Sequence, residues 1–152
     1  MTGYSHRMEA RHEKTPDGID ELLDEVVELR VPAHAGQLSL VRMLAQGMAA
    51  RADFHLDAIS DAKMAVDEAC AELIEQADLG AFLRCRFRPV PGGLHVTVST
   101  TTLHTEAPST SSFGWHVLTT LTESAWTAIE PGDGASSAVI IEFVVRAGTD
   151  AV

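Results

Sequence analysis

The chain has 152 residues, enough for one domain with a single core and too few for two of ordinary size. It sets 22 Asp plus Glu against 11 Lys plus Arg, a formal net charge of -11, which repels phosphate backbones and anionic lipid and points instead to a protein partner. No apolar run approaches the roughly 20 residues of a membrane span, and residues 1–14 (MTGYSHRMEARHEK) lack the apolar centre of a signal peptide, so a cytoplasmic location is expected.

Residues 1–20 are polar, hold Pro16 and Gly18 close together and show no apolar period, which predicts a mobile leader ahead of a domain over 21–148. From Asp24 to Val31 (DEVVELRV) the pattern alternates, with Val27, Leu29 and Val31 on one side and Glu28 and Arg30 on the other, as in a half-buried strand that Pro32 helps to end. Between His34 and Arg51, Leu38, Val41, Ala45 and Met48 recur at helical spacing; Leu40 and Leu44 widen the stripe, and Arg42 points away from it. Gly47 weakens the last turn of this helix by about 1 kcal/mol relative to Ala.

The next helix, DAKMAVDEACAELIEQA from Asp61 to Ala77, follows Asp53 to Leu56 and has Asp57 or Ser60 as its capping candidates. Ile59, Ala62, Val66, Ala69, Leu73 and Ala77 form its apolar face. Glu68 and Glu72, four positions apart, project from one side, within reach of a single ion or proton acceptor. From spacing alone, such a pair is more often a solvated acidic face than a site.

Asp78, Leu79 and Gly80 stop the helix, and Phe82 to Arg88 (FLRCRFR) then alternates strictly, with Leu83, Cys85 and Phe87 inward and Arg84, Arg86 and Arg88 outward. The Pro91, Gly92, Gly93 turn makes a hairpin with Leu94, Val96 and Val98. The arginines read as the solvated face of a one-sided sheet, with a partner patch as the alternative. Thr100 to Ser112 (TTTLHTEAPSTSS) has no period and is a candidate lid or switch loop. Phe113 to about Ser124 places Gly114, Val117, Leu118 and Leu121 on one helical face, with Trp115 off it, either at the core edge or as an exposed anchor. A short strand at Trp126 to Ile129, a turn at Pro131 to Gly134 and an apolar strand from Ala138 to Val145 (AVIIEFVV) complete the chain.

Cys70 and Cys85 make no disulfide framework and read as small buried hydrophobes. The seven histidines are scattered, with no helical pair to hold a metal, and no metal site is assigned. Helices clustered between antiparallel pairs predict an α/β (α+β) two-layer sandwich, with a mixed, mostly antiparallel sheet covered by helices on one face.

This order of elements over about residues 24–146, together with AVDEACAELIEQA at 65–77, resembles the RsbW-type anti-sigma factors of Gram-positive bacteria, which have the histidine-kinase-like ATPase (GHKL) fold. The likeness is nearest to the actinobacterial UsfX branch, which SFGWHVLTTL at 112–121 also resembles. In that family the helix reads Ala-Val-x-Glu-Ala-Cys/Val-x-Asn; the Glu is general base toward a serine of the anti-anti-sigma factor and the Asn helps hold magnesium on ATP. The resemblance sets Glu68 at the base and Glu72 at the asparagine.

Two family boxes are altered. The Asp-x-Gly-x-Gly box after the hairpin is replaced by Ser99 to Thr105 (STTTLHT), and the second glycine box falls at Ser109 to Gly114 (STSSFG), keeping only Gly114. Glu72 and Gly114 are thus the remains of a cofactor site, and Glu68 is catalytic only where that site works. Glu72 also adds a charge facing a polyphosphate, and two like charges at about 4 Å repel by about 4 kcal/mol at an effective dielectric near 20.

The resemblance implies a sigma-binding anti-sigma factor released by a STAS-type anti-anti-sigma factor and commonly dimeric, with Arg42 and Leu38 on its first helix as partner-binding positions. The altered boxes imply no ATP or magnesium. The alternatives are an active ATP- and magnesium-dependent protein-serine kinase with Glu68 as base, and a nucleotide-free member regulated through Cys70 and Cys85.

Overall fold

A computed structural model describes residues 25–148. The leader expected over 1–20 lies outside the described residues. Strand β1 (Val27–Pro32) leads through a short 3-10 turn (Ala35–Gln37), in which the His34 ring nitrogen accepts from the Gly36 N–H at 3.0 Å, into α1 (Leu38–Arg51). Asp53, in the left-handed region at φ 61°, turns the chain into α2 (Leu56–Gln76). The hairpin β2 (Phe82–Val90) and β3 (Gly93–Thr102) follows, then α3 (Phe113–Leu121) and the hairpin β4 (Ser124–Pro131) and β5 (Ser137–Arg146).

The five strands form one sheet in the order β1-β2-β3-β5-β4, and every pairing is antiparallel, which corrects the expectation of a mixed sheet. The reason lies in the connections. Arg42 meets Asp67 and Gln46 meets Lys63, so α1 and α2 run antiparallel, and two such helices return the chain reversed, setting β2 antiparallel to β1. One helix separates β3 from β4, leaving those two strands pointing the same way, but β5 inserts between them, antiparallel to both.

All three helices cover one face. Alternate strand residues (Leu83, Cys85, Phe87, Leu94, Val96, Val98, Val139, Ile141, Phe143) point into that layer and meet Val41, Met48, Val66 and Leu73, all fully or almost fully buried. The strict alternation of β2 is legible for this reason: its other face is wet, whereas β5, apolar on both faces in sequence, alternates only in burial.

Three sequence expectations shift. The second helix starts at Leu56, with His55 at the cap position and no side-chain cap; Asp57 instead lies in the first turn, where its charge suits the helix dipole. Leu40 is 49% exposed and does not widen the core stripe of α1. Strand β3 runs on to Thr102, shortening the expected loop, because Thr100 donates its hydroxyl to the Phe82 carbonyl at 2.7 Å and Thr101 and Thr102 keep register with β5. Of the two places open to Trp115, the core and an exposed anchor, the structure takes the core.

Candidate functional site

The site is built by α2 and the start of α3. On α2 the core face holds Ala62, Val66, Ala69 and Leu73, which fixes the rotation of the helix and leaves Glu68 and Glu72, half-buried and one turn apart, toward α3. Helix α3 starts cleanly because Ser112 caps it, its hydroxyl oxygen accepting from the Trp115 N–H at 3.0 Å. The same hydroxyl lies 3.1 Å from Glu72 Oε1, to which it donates, and 3.3 Å from the Ser109 carbonyl. One serine therefore joins the loop, the helix start and the acidic helix.

Gly114 lies directly on the carboxylates. A Cβ there would stand 2.6 Å from Glu68 Oε2 and 3.0 Å from Glu72 Oε1, so any larger residue forces the two carboxylates to swing aside. The close approach makes electrostatic sense, since the amino-terminal end of a helix carries about half a positive charge and favours an anion. Here the chain supplies that anion itself. Burial first, then the neighbouring charges of Glu72, Asp67 and Glu75, pushes the Glu68 carboxyl above its ordinary value. A carboxyl so placed is a better proton acceptor than an exposed one, which is what a general base requires.

ATP with magnesium is the group that the resemblance implies, and these residues do not suit it. The helix start that would offer N–H groups to phosphates already faces two carboxylates and is capped by Ser112. Where an Asp-x-Gly-x-Gly box would lie, Thr100 and Thr102 are buried in β3 and the Thr100 hydroxyl is committed to Phe82.

The first helix stands apart from this cluster. Arg42 is exposed on α1 and bonds Asp67 of α2 at 2.9 Å, beside Glu68 in sequence. Leu38 is half-buried and packs against the core. Exposed apolar surface on α1 is supplied by Leu40 and by Met43, which is 68% exposed. The sequence reading missed Ser112, Asp67 and Met43. A serine just before an apolar helical run is a capping signal and would have found the first.

An all-antiparallel sheet with helices on one face, and a central helix presenting two carboxylates to the start of the last, defines a two-layer α+β sandwich consistent with the histidine-kinase-like ATPases. No protein-family model matches the chain. Among curated proteins it is similar to the anti-sigma-F factor RsbW of two Mycobacterium tuberculosis strains, at 36% identity over 101 residues, which cover 66% of this chain and 60% of theirs. It is also 36% identical over 53 residues to the serine-protein kinase RsbW of Bacillus cereus, covering 35% of this chain and 33% of that protein. By these likenesses the chain is similar to RsbW-type proteins, and it spans 60% of the length of the mycobacterial relatives it matches.

No helix among the described residues is long and apolar enough to cross a membrane.

Proposed function

We propose that the chain is an anti-sigma factor that binds and sequesters an alternative sigma factor, of the stress or development kind, and is released by a STAS-type anti-anti-sigma factor. The observation that carries this reading is the likeness over 101 residues to the mycobacterial anti-sigma-F factor. The charge of -11 supports it, since a protein that competes for a basic DNA-binding surface gains from opposite charge. The docking face is α1, where Arg42 is flanked by exposed Leu40 and Met43, with Leu38 bracing the helix from beneath. Binding takes place in the cytoplasm, by a homodimer, with no direct contact to nucleic acid or membrane.

In this reading nucleotide binding is weak or lost, because Glu72 and Ser112 occupy the phosphate-facing end of α3. The test is co-purification of the chain with each sigma factor of its host. One of them is expected to bind in the absence of ATP, and Arg42→Glu is expected to weaken that complex at least about tenfold. Full affinity in the variant removes Arg42 from the interface, and failure of every sigma factor to bind removes the function.

The second reading, a protein-serine kinase acting on the antagonist, is favoured by one feature: Glu68 keeps a base at the expected place with a raised proton affinity. Calorimetric titration with ATP and magnesium separates the two. Heat that disappears in Glu72→Ala supports the kinase, whereas no heat leaves it without a phosphoryl donor.

A further inference from the structure

The outer face of the sheet carries a concentration of positive charge that neither the acidic site nor α1 uses. Four of the eight lysines and arginines between residues 25 and 148 stand on it, Arg30 on β1 and Arg84, Arg86 and Arg88 on β2. Glu28 is the acidic residue among them on β1 and β2, and it is shared, 3.3 Å from Arg84 and 3.2 Å from Arg86, while Glu142 of β5 on the same face bonds His95. Arg30 and Arg84 are direct cross-strand partners, an arrangement that like charges disfavour. Arg30 has no carboxylate partner among the described residues; its guanidinium carbon lies over the Phe82 ring, 4.2 Å from the centroid, which helps to hold the group in place. Beside the pair is a groove of about 340 Å³ with Phe82, Ser99, Thr101 and Ala138 in its wall, so hydroxyl donors and two guanidinium groups converge on one concavity.

We propose that this groove binds the carboxylate side chains of an acidic, extended segment of a partner protein. Charge selects the ligand: two held guanidinium groups match carboxylates in the forked geometry that arginine favours. The place of the groove selects an extended segment, since its walls come from β1, β2, β3 and β5 and a ligand that follows it lies across four neighbouring strands. A second copy of the chain is disfavoured, because a two-fold contact centred here sets arginines against arginines. Nucleic acid is disfavoured by the net charge of -11. The inference does not depend on the sigma-factor reading.

The test is fluorescence anisotropy of a labelled twelve-residue peptide of alternating Glu and Thr against the full chain at low salt. Binding is expected, weakened at least about tenfold in Arg30→Ser/Arg84→Ser, unchanged in Arg51→Ser, and absent for the peptide with Gln in place of Glu. Equal binding by the double variant, equal binding of the Gln peptide, or tighter binding of a thymidine twelve-mer overturns the proposal. So does a dimer in sedimentation that the double variant splits, which would make a second copy the occupant. The double variant is expected to melt within about 3 °C of the parent, as relief of the like-charge pair offsets the lost Glu28 bridge and Phe82 contact. A clear fall would assign the arginines a structural role and also overturn the proposal.

Discussion

Glu68 is the side chain whose chemistry the surroundings alter most openly, and the sign of its effect on stability can be worked out. Its folded value is raised above its unfolded one, so the folded chain holds the proton more tightly. Its contribution is full below the unfolded pKa, about 4.3, and is lost as pH rises through the folded value. Glu68→Gln is expected to be more stable than the parent at pH 7, and the advantage should shrink toward pH 4.5. Urea midpoints of both proteins at the two pH values check this; parallel pH dependences would show that the carboxyl is not strained by its neighbours. Ser112 makes the complementary case. Its hydroxyl caps α3 and serves Glu72, so Ser112→Ala is expected to cost about 1 kcal/mol for the lost cap, and a midpoint shift within error would deny the cap its role.

At the scale of elements, α1 carries two apolar faces with opposite expectations. Val41, Ala45 and Met48 are buried, whereas Leu40 and Met43 lie largely in solvent and have little packing to lose. Leu40→Ser/Met43→Ser is therefore expected to change stability by no more than about 0.5 kcal/mol while weakening the sigma complex, and Leu73→Ala in α2 to cost about 2–5 kcal/mol. A large stability loss from the α1 pair would mean that its outer face belongs to the core. The same helix shows why the sequence was only partly legible: an apolar residue on a mostly apolar helix does not announce which side it faces, and Leu40 was read inward. Strand β2 is readable because a one-sided sheet imposes alternation, β5 because it is a short apolar run rich in β-branched residues, and Glu68 with Glu72 because four positions make one helical turn. Thr100 to Thr102 were read as loop because threonine suits loop and strand alike, and only pairing with Phe82 and β5 decides it. Ser112 is 40 residues from Glu72, and local periodicity carries no information across that distance.

At the scale of the molecule, the thiols of Cys70 and Cys85 report on how the sandwich opens. They lie 3.8 Å apart, both fully buried, one on α2 and the other on β2, so they bridge the two layers. The hydrogen bond with Cys85, then burial, pushes the Cys70 thiol well above its ordinary value, and the thiolate that a reagent or oxidant needs is correspondingly scarce. No loop motion at the surface reaches a pair seated between helix layer and sheet, so modification requires the layers to part, which in a small single domain is global unfolding. Labelling by an aromatic disulfide reagent at pH 8 is thus expected to be slower than that of a free thiol by the unfolding equilibrium constant. For a stability of about 5 kcal/mol that factor is several thousandfold. The labelling rate should rise with urea along the slope of the equilibrium transition. Rapid labelling that ignores urea would mean that α2 lifts locally from β2; the pair would then be open to oxidation in the folded protein, and regulation through these cysteines would become the better account.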